Sequence, residues 1–322
     1  MLKTFDSGVE HIAAITNEGT VVCWGENTRH QLDPIYMEIT NAKELVCSNF
    51  GTLVLTEEGT LKYFGYKNYS IPESMNKDFS KIFGYGTRFL ALKNNNTTIL
   101  SIGEVQKRPF IIKEIPEIIL DIVCSDNYTV VHTITKNIYY WEKNGDIKKN
   151  HYSREKFFPS LDGFGEDNFF IVDINRLYAK HLNHNKYKYL GTFSMPIKDV
   201  SGSLHYDTHI IILLEDGTFK TISNIFNVPE YITTDGTIQT ACNGSSYLVL
   251  KSSGELFYWG YFHESIVNPI MTDVVYVLYK SYYILVLKTD GNVYKVKIDP
   301  RGIVINDLFT NIKNPYYTLQ LW

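Results

Sequence analysis

Several features that point to particular classes of protein are scarce in this 322-residue chain. Four cysteines are too few for a disulfide framework at this length, so we interpret them as free thiols. No apolar run approaches the roughly 20 residues of a membrane-spanning helix, and the first residues lack the basic start and long apolar core of a signal peptide. We therefore expect an intracellular protein, cytoplasmic or nuclear, without a membrane partner.

An excess of basic charge is also missing. The chain has 31 Lys and Arg residues against 35 Asp and Glu residues, and its formal net charge is -4. A protein that binds nucleic acid by neutralising phosphates needs the opposite balance, so no nucleic-acid partner is expected. The 24 tyrosines and the Asn- and Lys-rich segments are typical of A/T-rich genes. Because A/T-rich genomes include those of intracellular bacteria and large DNA viruses, an effector in the host cytoplasm and a virion component are alternative locations for the protein.

The motifs of catalytic and cofactor sites are absent as well. No P-loop occurs, and no GxGxxG follows a strand. His181 and His184, like His205 and His209, have spacings that suit a metal ion, but no Cys or Glu nearby completes a ligand set. We expect no metal, no cofactor and no catalytic residue, so an enzyme is not predicted.

An internal repeat is the main positive feature. It consists of an apolar run, a polar turn that ends in Gly, and an alternating strand that ends in an aromatic residue and Gly. Clear copies occupy residues 12–25, 52–65 and 247–260, and weaker copies begin at Phe89, Thr129, Phe169, Ile211 and Ile284. The eight copies recur at intervals close to 40 residues. This period, together with alternation by two, predicts several short strands per repeat.

Four strands in about 40 residues, repeated around an axis, are typical of a β-propeller blade. We predict an all-β chain that forms a single β-propeller domain over residues 1–322, with four-stranded antiparallel blades. Seven or eight blades are expected, since eight motifs are present. The aromatic residue that ends the third strand, such as Trp24, is expected to pack between sheets.

Three of the four cysteines share one repeat position. Cys47, Cys124 and Cys242 lie where other copies have Ser7 and Gly84. The pattern favours first strands that crowd together and accept only small residues, while a redox or metal cluster is the alternative. The copies are too far apart for disulfides.

The segment from His11 to Leu32 resembles the repeat of the regulator of chromosome condensation family. The matching residues are His11, Gly19, Thr20, Val21, Trp24, Gly25, Asn27, Gln31 and Leu32. The resemblance extends with decreasing specificity from Phe5 to Lys297. It implies a propeller that serves as a scaffold, and in some members exchanges the nucleotide of a small GTPase through acidic and His residues of one face.

Loops that join the first and second strands of each blade emerge on one face of a propeller. We predict that this face makes the protein a non-enzymatic protein-protein interaction platform. The candidate binding residues are Glu10, His11, Phe50, Arg88, Asp126, Tyr128, Asp167, Asp207, His209 and Lys280. Guanine-nucleotide exchange on a small GTPase without covalent catalysis is the alternative, with His11, Asp126 and Asp167 as its residues. A structural part of a virion or another assembly is a further alternative.

Overall fold

The fold is seen in a computed structural model of the chain. It describes residues 4–9, 11–32, 39–65, 71–105, 108–124, 128–142, 145–151, 156–159, 168–181, 187–203, 209–223, 227–230, 232–243, 246–260, 268–280, 283–299, 302–310 and 312. The chain divides into two compact units. Unit 1 comprises Met1–Tyr152 with Phe309–Trp322, and unit 2 comprises Ser153–Leu308. The single domain over residues 1–322 stays a prediction.

Unit 1 contains four antiparallel sheets, each with its strands in chain order. Sheet 1 has β1 (Phe5–Ser7), β2 (His11–Ile15) and β3 (Val21–Gly25); sheet 2 has β4 (Ala42–Ser48), β5 (Gly51–Thr56) and β6 (Leu61–Gly65). Sheet 3 has β7 (Phe79–Tyr85), β8 (Arg88–Lys93), β9 (Thr98–Val105) and β10 (Arg108–Glu114); sheet 4 has β11 (Ile119–Cys124), β12 (Tyr128–Thr133), β13 (Asn137–Glu142) and β14 (Lys148–His151). A short 3-10 turn spans Glu73–Met75.

Unit 2 contains four further sheets with the same order of strands. Sheet 5 has β15 (Lys156–Pro159), β16 (Asn168–Asp173), β17 (Arg176–His181) and β18 (Tyr187–Thr192); sheet 6 has β19 (Ile197–Ser203), β20 (His209–Leu214) and β21 (Phe219–Ser223). Sheet 7 has β22 (Thr237–Cys242), β23 (Ser246–Lys251) and β24 (Leu256–Gly260); sheet 8 has β25 (Val274–Lys280), β26 (Tyr283–Lys288), β27 (Val293–Asp299) and β28 (Gly302–Phe309). The eight sheets match the eight repeat copies, including the weak copy that begins at Phe169.

The described residues of the second strands are buried on both faces of the sheets. In β5, Leu53 and Leu55 pack against sheet 3, while Val54 packs against sheet 1. In β20, Ile210 packs against sheet 5 and Ile211 against sheet 7. A strand between two neighbours needs apolar residues at every position, which explains why the repeats contain continuous apolar runs.

The turn between the second and third strands keeps its backbone conformation even where glycine is lost. The predicted turn glycines Gly19, Gly59, Gly217, Gly254 and Gly291 have φ between 76° and 85°. At the equivalent positions Asn96 and Lys136 have φ of 54° and 62°. A Cβ on Gly59 would lie 2.9 Å from the Phe79 carbonyl oxygen, so the glycine there also permits a close approach of backbone.

The first strands of neighbouring sheets approach closely, as predicted from the cysteine position. A Cβ on Gly84 would lie 3.1 Å from the Cys47 carbonyl oxygen and 3.1 Å from the Cβ of Val46. All four cysteines are buried, and none of them forms a disulfide bond. The Gln239 side chain of one of these strands also reaches the next sheet: it accepts from the Val277 amide (3.1 Å) and donates to the Val277 carbonyl (2.7 Å). Crowding of backbones therefore accounts for the small residues.

The tryptophans that end third strands differ in burial. Trp141 and Trp259 are 1% and 2% exposed, whereas Trp24 is 47% exposed. The expectation that Trp24 packs between sheets is therefore wrong, because its strand β3 buries Val21 and Cys23 on the side of sheet 2, and Trp24, one position further, faces the opposite side. Among the described residues no helix is long and apolar enough to cross a membrane.

Candidate functional site

The loops that join first and second strands are tied together in unit 1. The Val9 amide donates to the Asn49 carbonyl (3.2 Å), and the Asn49 amide donates to the Gly86 carbonyl (2.5 Å). These bonds connect the loops of sheets 1, 2 and 3 in series. We call this surface, formed by residues 8–9, 49–50 and 85–87 together with Arg29, which lies over the Phe50 ring, the loop face. Its backbone is held in place by bonds between sheets and not only within each turn.

The loop face presents an apolar residue and a stacked aromatic residue. Val9 is exposed, and Phe50 is half-buried. The Arg29 guanidinium carbon lies 4.0 Å from the centroid of the Phe50 ring, and the Arg29 amide donates to the Gln31 side-chain oxygen at 2.8 Å. A guanidinium over an aromatic ring keeps donors available at its edge. This pair supplies residue types that are enriched at the energetic centres of interfaces.

Four of the predicted binding residues lie in the interior. His11, Arg88, Tyr128 and His209 are buried. Phe50 is on the loop face. Glu10, Asp126, Asp167 and Asp207 lie outside the described residues, and Lys280 ends β25 with only its backbone described. The structure therefore brings Phe50 together with Val9 and Arg29, which the sequence did not single out.

Four buried polar residues occupy the same position in their sheets and make the same kind of contact. His11, Arg88, His209 and Ser246 are each the first residue of a second strand. Each bonds to the following sheet: His11 Nε2 with Thr52 Oγ1 (3.0 Å), Arg88 Nη2 to the Tyr128 carbonyl, His209 Nδ1 with the Tyr247 hydroxyl (3.2 Å), and Ser246 Oγ with the Tyr279 hydroxyl (2.5 Å). A polar group at this position thus makes a hydrogen bond across the space between sheets, as buried polar groups generally do.

Burial affects the titration of two tyrosine hydroxyls in this set. Burial raises the pKa of Tyr247 to about 12, and burial also raises the pKa of Tyr279 well above its ordinary value. Both hydroxyls are protonated at neutral pH and serve as hydrogen-bonding groups. Within the described parts of both units, no group of three or more His, Cys, Asp or Glu residues is arranged to hold a metal ion.

Comparisons with known proteins match the first copy of the repeat and the fold. Residues 3–31 match the family model described as the regulator of chromosome condensation (RCC1) repeat. No curated protein sequence matches the chain.

Solved structures match over most of the chain. Human WBSCR16 is 12% identical over 75% of this chain and 82% of that chain, with a TM-score of 0.53. The CRINKLY WD40 ectodomain of the Arabidopsis thaliana receptor kinase ACR4 is 12% identical over 84% and 98%, also with a TM-score of 0.53. The computationally designed Ika8 protein is 11% identical over 91% and 94%, with a TM-score of 0.57. At such identities the likeness concerns the fold alone. Residues 3–31 are thus similar to an RCC1 repeat, and the chain has the all-β architecture of a propeller, as predicted.

Proposed function

We propose that this protein is a non-enzymatic platform that binds another protein through its loop face. The series of backbone bonds from Val9 to Asn49 and from Asn49 to Gly86 supports this proposal most directly. It fixes three loops of successive sheets before any partner arrives. A surface that is already ordered loses little conformational entropy on binding, and this raises affinity for a given set of contacts.

The side chains on this surface are consistent with the proposal. The Arg29 guanidinium lies over the Phe50 ring, and exposed Val9 lies beside the same loop, since its amide bonds to Asn49. An apolar residue next to an aromatic-arginine pair is a common composition of a binding centre. We therefore expect Phe50 and Arg29 to contribute most of the binding energy on this face.

The proposal is tested by comparing two double variants in capture experiments followed by affinity measurement. Phe50→Ala with Arg29→Ala removes the stacked pair. Ile238→Ala with Lys220→Ala removes an exposed apolar residue and an exposed cation from unit 2, and serves as the matched control. The first variant is expected to bind captured partners at least about tenfold more weakly. Equal binding by both variants would refute the loop face as the partner site.

Guanine-nucleotide exchange on a small GTPase stays the alternative. It rests on the resemblance of residues 3–31 to the RCC1 repeat. Of its three predicted residues, Asp126 and Asp167 lie outside the described residues, and His11 is buried against Thr52. Release of a fluorescent guanine nucleotide from a panel of small GTPases tests it. Absence of acceleration by the wild-type chain would remove exchange and leave the platform untouched. A role in a virion or another assembly is a further alternative.

A further inference from the structure

Sheet 4 exposes three apolar side chains around the turn between its second and third strands. Ile118 lies just before β11, Leu120 is the residue at which the pairing of β11 with β12 shifts register, and Ile134 lies in the turn between β12 and β13. Their side chains are 47%, 56% and 57% exposed, and the Ile134 amide donates to the Ile118 carbonyl (2.9 Å). We call these three residues the apolar patch.

The repeat does not require apolar residues at these three positions. In sheets 2, 3, 6, 7 and 8 the same backbone bond joins the turn to the residue before the first strand, at 2.7 to 3.0 Å. The residues equivalent to Ile118, Leu120 and Ile134 in these sheets are, in that order, Asn41, Lys43 and Glu57; Asp78, Ser80 and Asn94; Pro196, Lys198 and Glu215; Gly236, Ile238 and Ser252; and Asp273, Val275 and Thr289. The turn residue is polar in all five sheets, and none of them has three apolar residues. The backbone of sheet 4 therefore does not explain its apolar patch.

One charge of each sign lies beside the apolar patch. Asp121 follows Leu120 in β11, Lys136 lies two residues after Ile134 in the turn, and both side chains are exposed. Burial lowers the pKa of the His132 imidazole, the Asp121 carboxylate raises it, and the Lys136 ammonium lowers it. Both charges therefore lie close to one ring, which belongs to the residue that pairs with Asp121 in the sheet.

This combination of charges makes the surface complementary to itself. Contiguous exposed apolar residues commonly mark an interaction site. When two copies of a chain meet around a two-fold axis, the same surface is used by both, and every contact occurs twice. Asp121 of each copy can then lie opposite Lys136 of the other copy while the two apolar patches cover each other. A partner with charges of a single sign would place a like charge against one of these two residues, which is unfavourable.

We propose that the apolar patch binds a second copy of this chain, so that the protein forms a two-fold dimer through sheet 4. Stable interfaces commonly bury about 800 Å² on each partner. A contact centred on three side chains is smaller, so the dimer is expected to be weak and reversible. The loops of the loop face lie at the opposite ends of the second strands, so this dimer leaves the loop face uncovered.

Sedimentation velocity of the full-length chain tests the dimer over about a hundredfold range of concentration. The wild type is expected to shift from monomer towards dimer as the concentration rises. The triple variant Ile118→Asn, Leu120→Lys and Ile134→Glu, which introduces the residues of sheet 2, should associate at least about tenfold more weakly. Its fold should be retained, because sheet 2 has these residues on the same backbone. Ile238→Lys, at the position of sheet 7 equivalent to Leu120, is the matched control and should associate like the wild type.

Two charge reversals test the two-fold pairing. Asp121→Lys leaves two cations beside the apolar patch and Lys136→Asp leaves two anions, so each variant alone should associate at least about tenfold more weakly than the wild type. An equimolar mixture of the two variants places opposite charges together at both contacts and should associate nearly as well as the wild type. Lys81 occupies the position of sheet 3 that is equivalent to Asp121, so a lysine is compatible with the backbone there.

Three outcomes would overturn the proposal. These are a wild type that stays monomeric at every concentration, a triple variant that associates like the wild type, and a mixture of the charge-reversed variants that associates no better than each variant alone. Binding of a monomeric wild type to phosphatidylcholine vesicles, lost in the triple variant, would overturn it in favour of a lipid surface. The loop-face variant Phe50→Ala with Arg29→Ala should dimerise normally, so a failure of the proposed function and a failure of this proposal are distinguishable.

Discussion

The connections that lead into sheets 4 and 7 are each held by a charged side chain that makes several hydrogen bonds. The residues involved occupy equivalent positions in the two repeats, but the charge is negative in sheet 4 and positive in sheet 7. In sheet 4, Glu117 lies two residues before Ile119, which pairs with Thr133. In sheet 7, Asp235 lies two residues before Thr237, which pairs with Lys251. In both sheets, hydrogen bonds therefore join the connection before the first strand to the end of the second strand, and we call each such set of bonds a tie. An acidic side chain makes the tie in sheet 4, and a basic side chain makes it in sheet 7.

In sheet 4 one carboxylate collects donors from three segments. The Glu117 carboxylate accepts from the Thr133 hydroxyl (2.7 Å), the Asn137 amide (2.7 Å), the Tyr139 hydroxyl (2.6 Å), the Lys149 ammonium (2.8 Å) and the Thr135 hydroxyl. Partial burial raises the pKa of Glu117, but the bonds from Lys149, Thr135, Tyr139 and Thr133 together outweigh it and hold this pKa well below its usual range. The ionised form is the one that ties the connection.

In sheet 7 one ammonium collects acceptors. Lys251 Nζ donates to the Thr233 carbonyl (2.5 Å), the Asp235 carbonyl (2.6 Å) and the Thr237 hydroxyl (3.1 Å). Burial lowers the pKa of Lys251, and the charges of Asp235 and Glu255 oppose that effect. The repeat thus determines the positions of the two ties. Burial determines how much the free energy of unfolding decreases when a tie is lost, because an unpaired buried group cannot form a hydrogen bond with water instead.

Loss of the tie in sheet 7 should have the largest effect. Lys251→Met keeps the apolar stem but leaves two backbone carbonyls and a hydroxyl without their donor in a buried place. We expect the free energy of unfolding to fall by about 3 kcal/mol, measured by urea denaturation. The exposed Lys220→Met is the control and should change it by less than about 0.5 kcal/mol. A loss in Lys251→Met as small as in the control would show that the tie is not stabilising.

Loss of the charge in sheet 4 should cost less. The Glu117 side chain is 15% exposed, so water can reach part of the site. Glu117→Gln retains one acceptor oxygen but turns an NH2 group towards donors, and we expect a decrease of about 1.5 kcal/mol in the free energy of unfolding. Glu114→Gln, at an exposed position of β10, is the matched control. If Glu117→Gln proved more damaging than Lys251→Met, burial would not be what ranks the two ties.

Acid should distinguish the two ties by the sign of their charge. The pKa of Glu117 is lowered in the folded state, so the stability it contributes is present above the unfolded-state pKa of about 4.3 and is lost as pH falls through the folded pKa. The difference in the free energy of unfolding between wild type and Glu117→Gln should therefore shrink as pH decreases below about 4.3. Lys251→Met should retain the same acid dependence as wild type. Parallel curves for wild type and Glu117→Gln would contradict the assignment.

The exposed partner of Glu117 should contribute least. Lys149 is 42% exposed, and its ion pair with Glu117 is accessible to salt. We expect Lys149→Ala to lower the free energy of unfolding by less than Glu117→Gln does, and by still less in 1 M salt, because surface ion pairs are weak and screened. Lys148→Ala, one residue earlier in β14, is the control. A salt-independent loss would indicate that packing of the Lys149 stem on Tyr139, and not charge, is responsible.

Periodic features were predictable because they repeat a local requirement. The apolar runs of β5 and β20, the turn at Gly59 and the small residue at Cys47 each follow from strand alternation, positive φ or crowding. A sheet could be predicted even where the turn glycine of the motif is missing, since Lys136 adopts the same backbone conformation as the glycines. The sequence alone therefore determined the class of fold and the positions of the sheets.

The surface was decided by tertiary contacts. A polar residue such as His11 or Arg88 is compatible with exposure or with burial, and only the partner supplied by the next sheet places it inside. Trp24 carries the same motif as Trp259 but is exposed on its own sheet. The ties at Glu117 and Lys251 and the stacking of Arg29 on Phe50 likewise depend on which groups other segments bring near. The local pattern of residues determines strands and turns. The burial and pairing of polar groups depend on contacts between sheets, and the residues that make those contacts are far apart in the sequence, so local patterns do not reveal them.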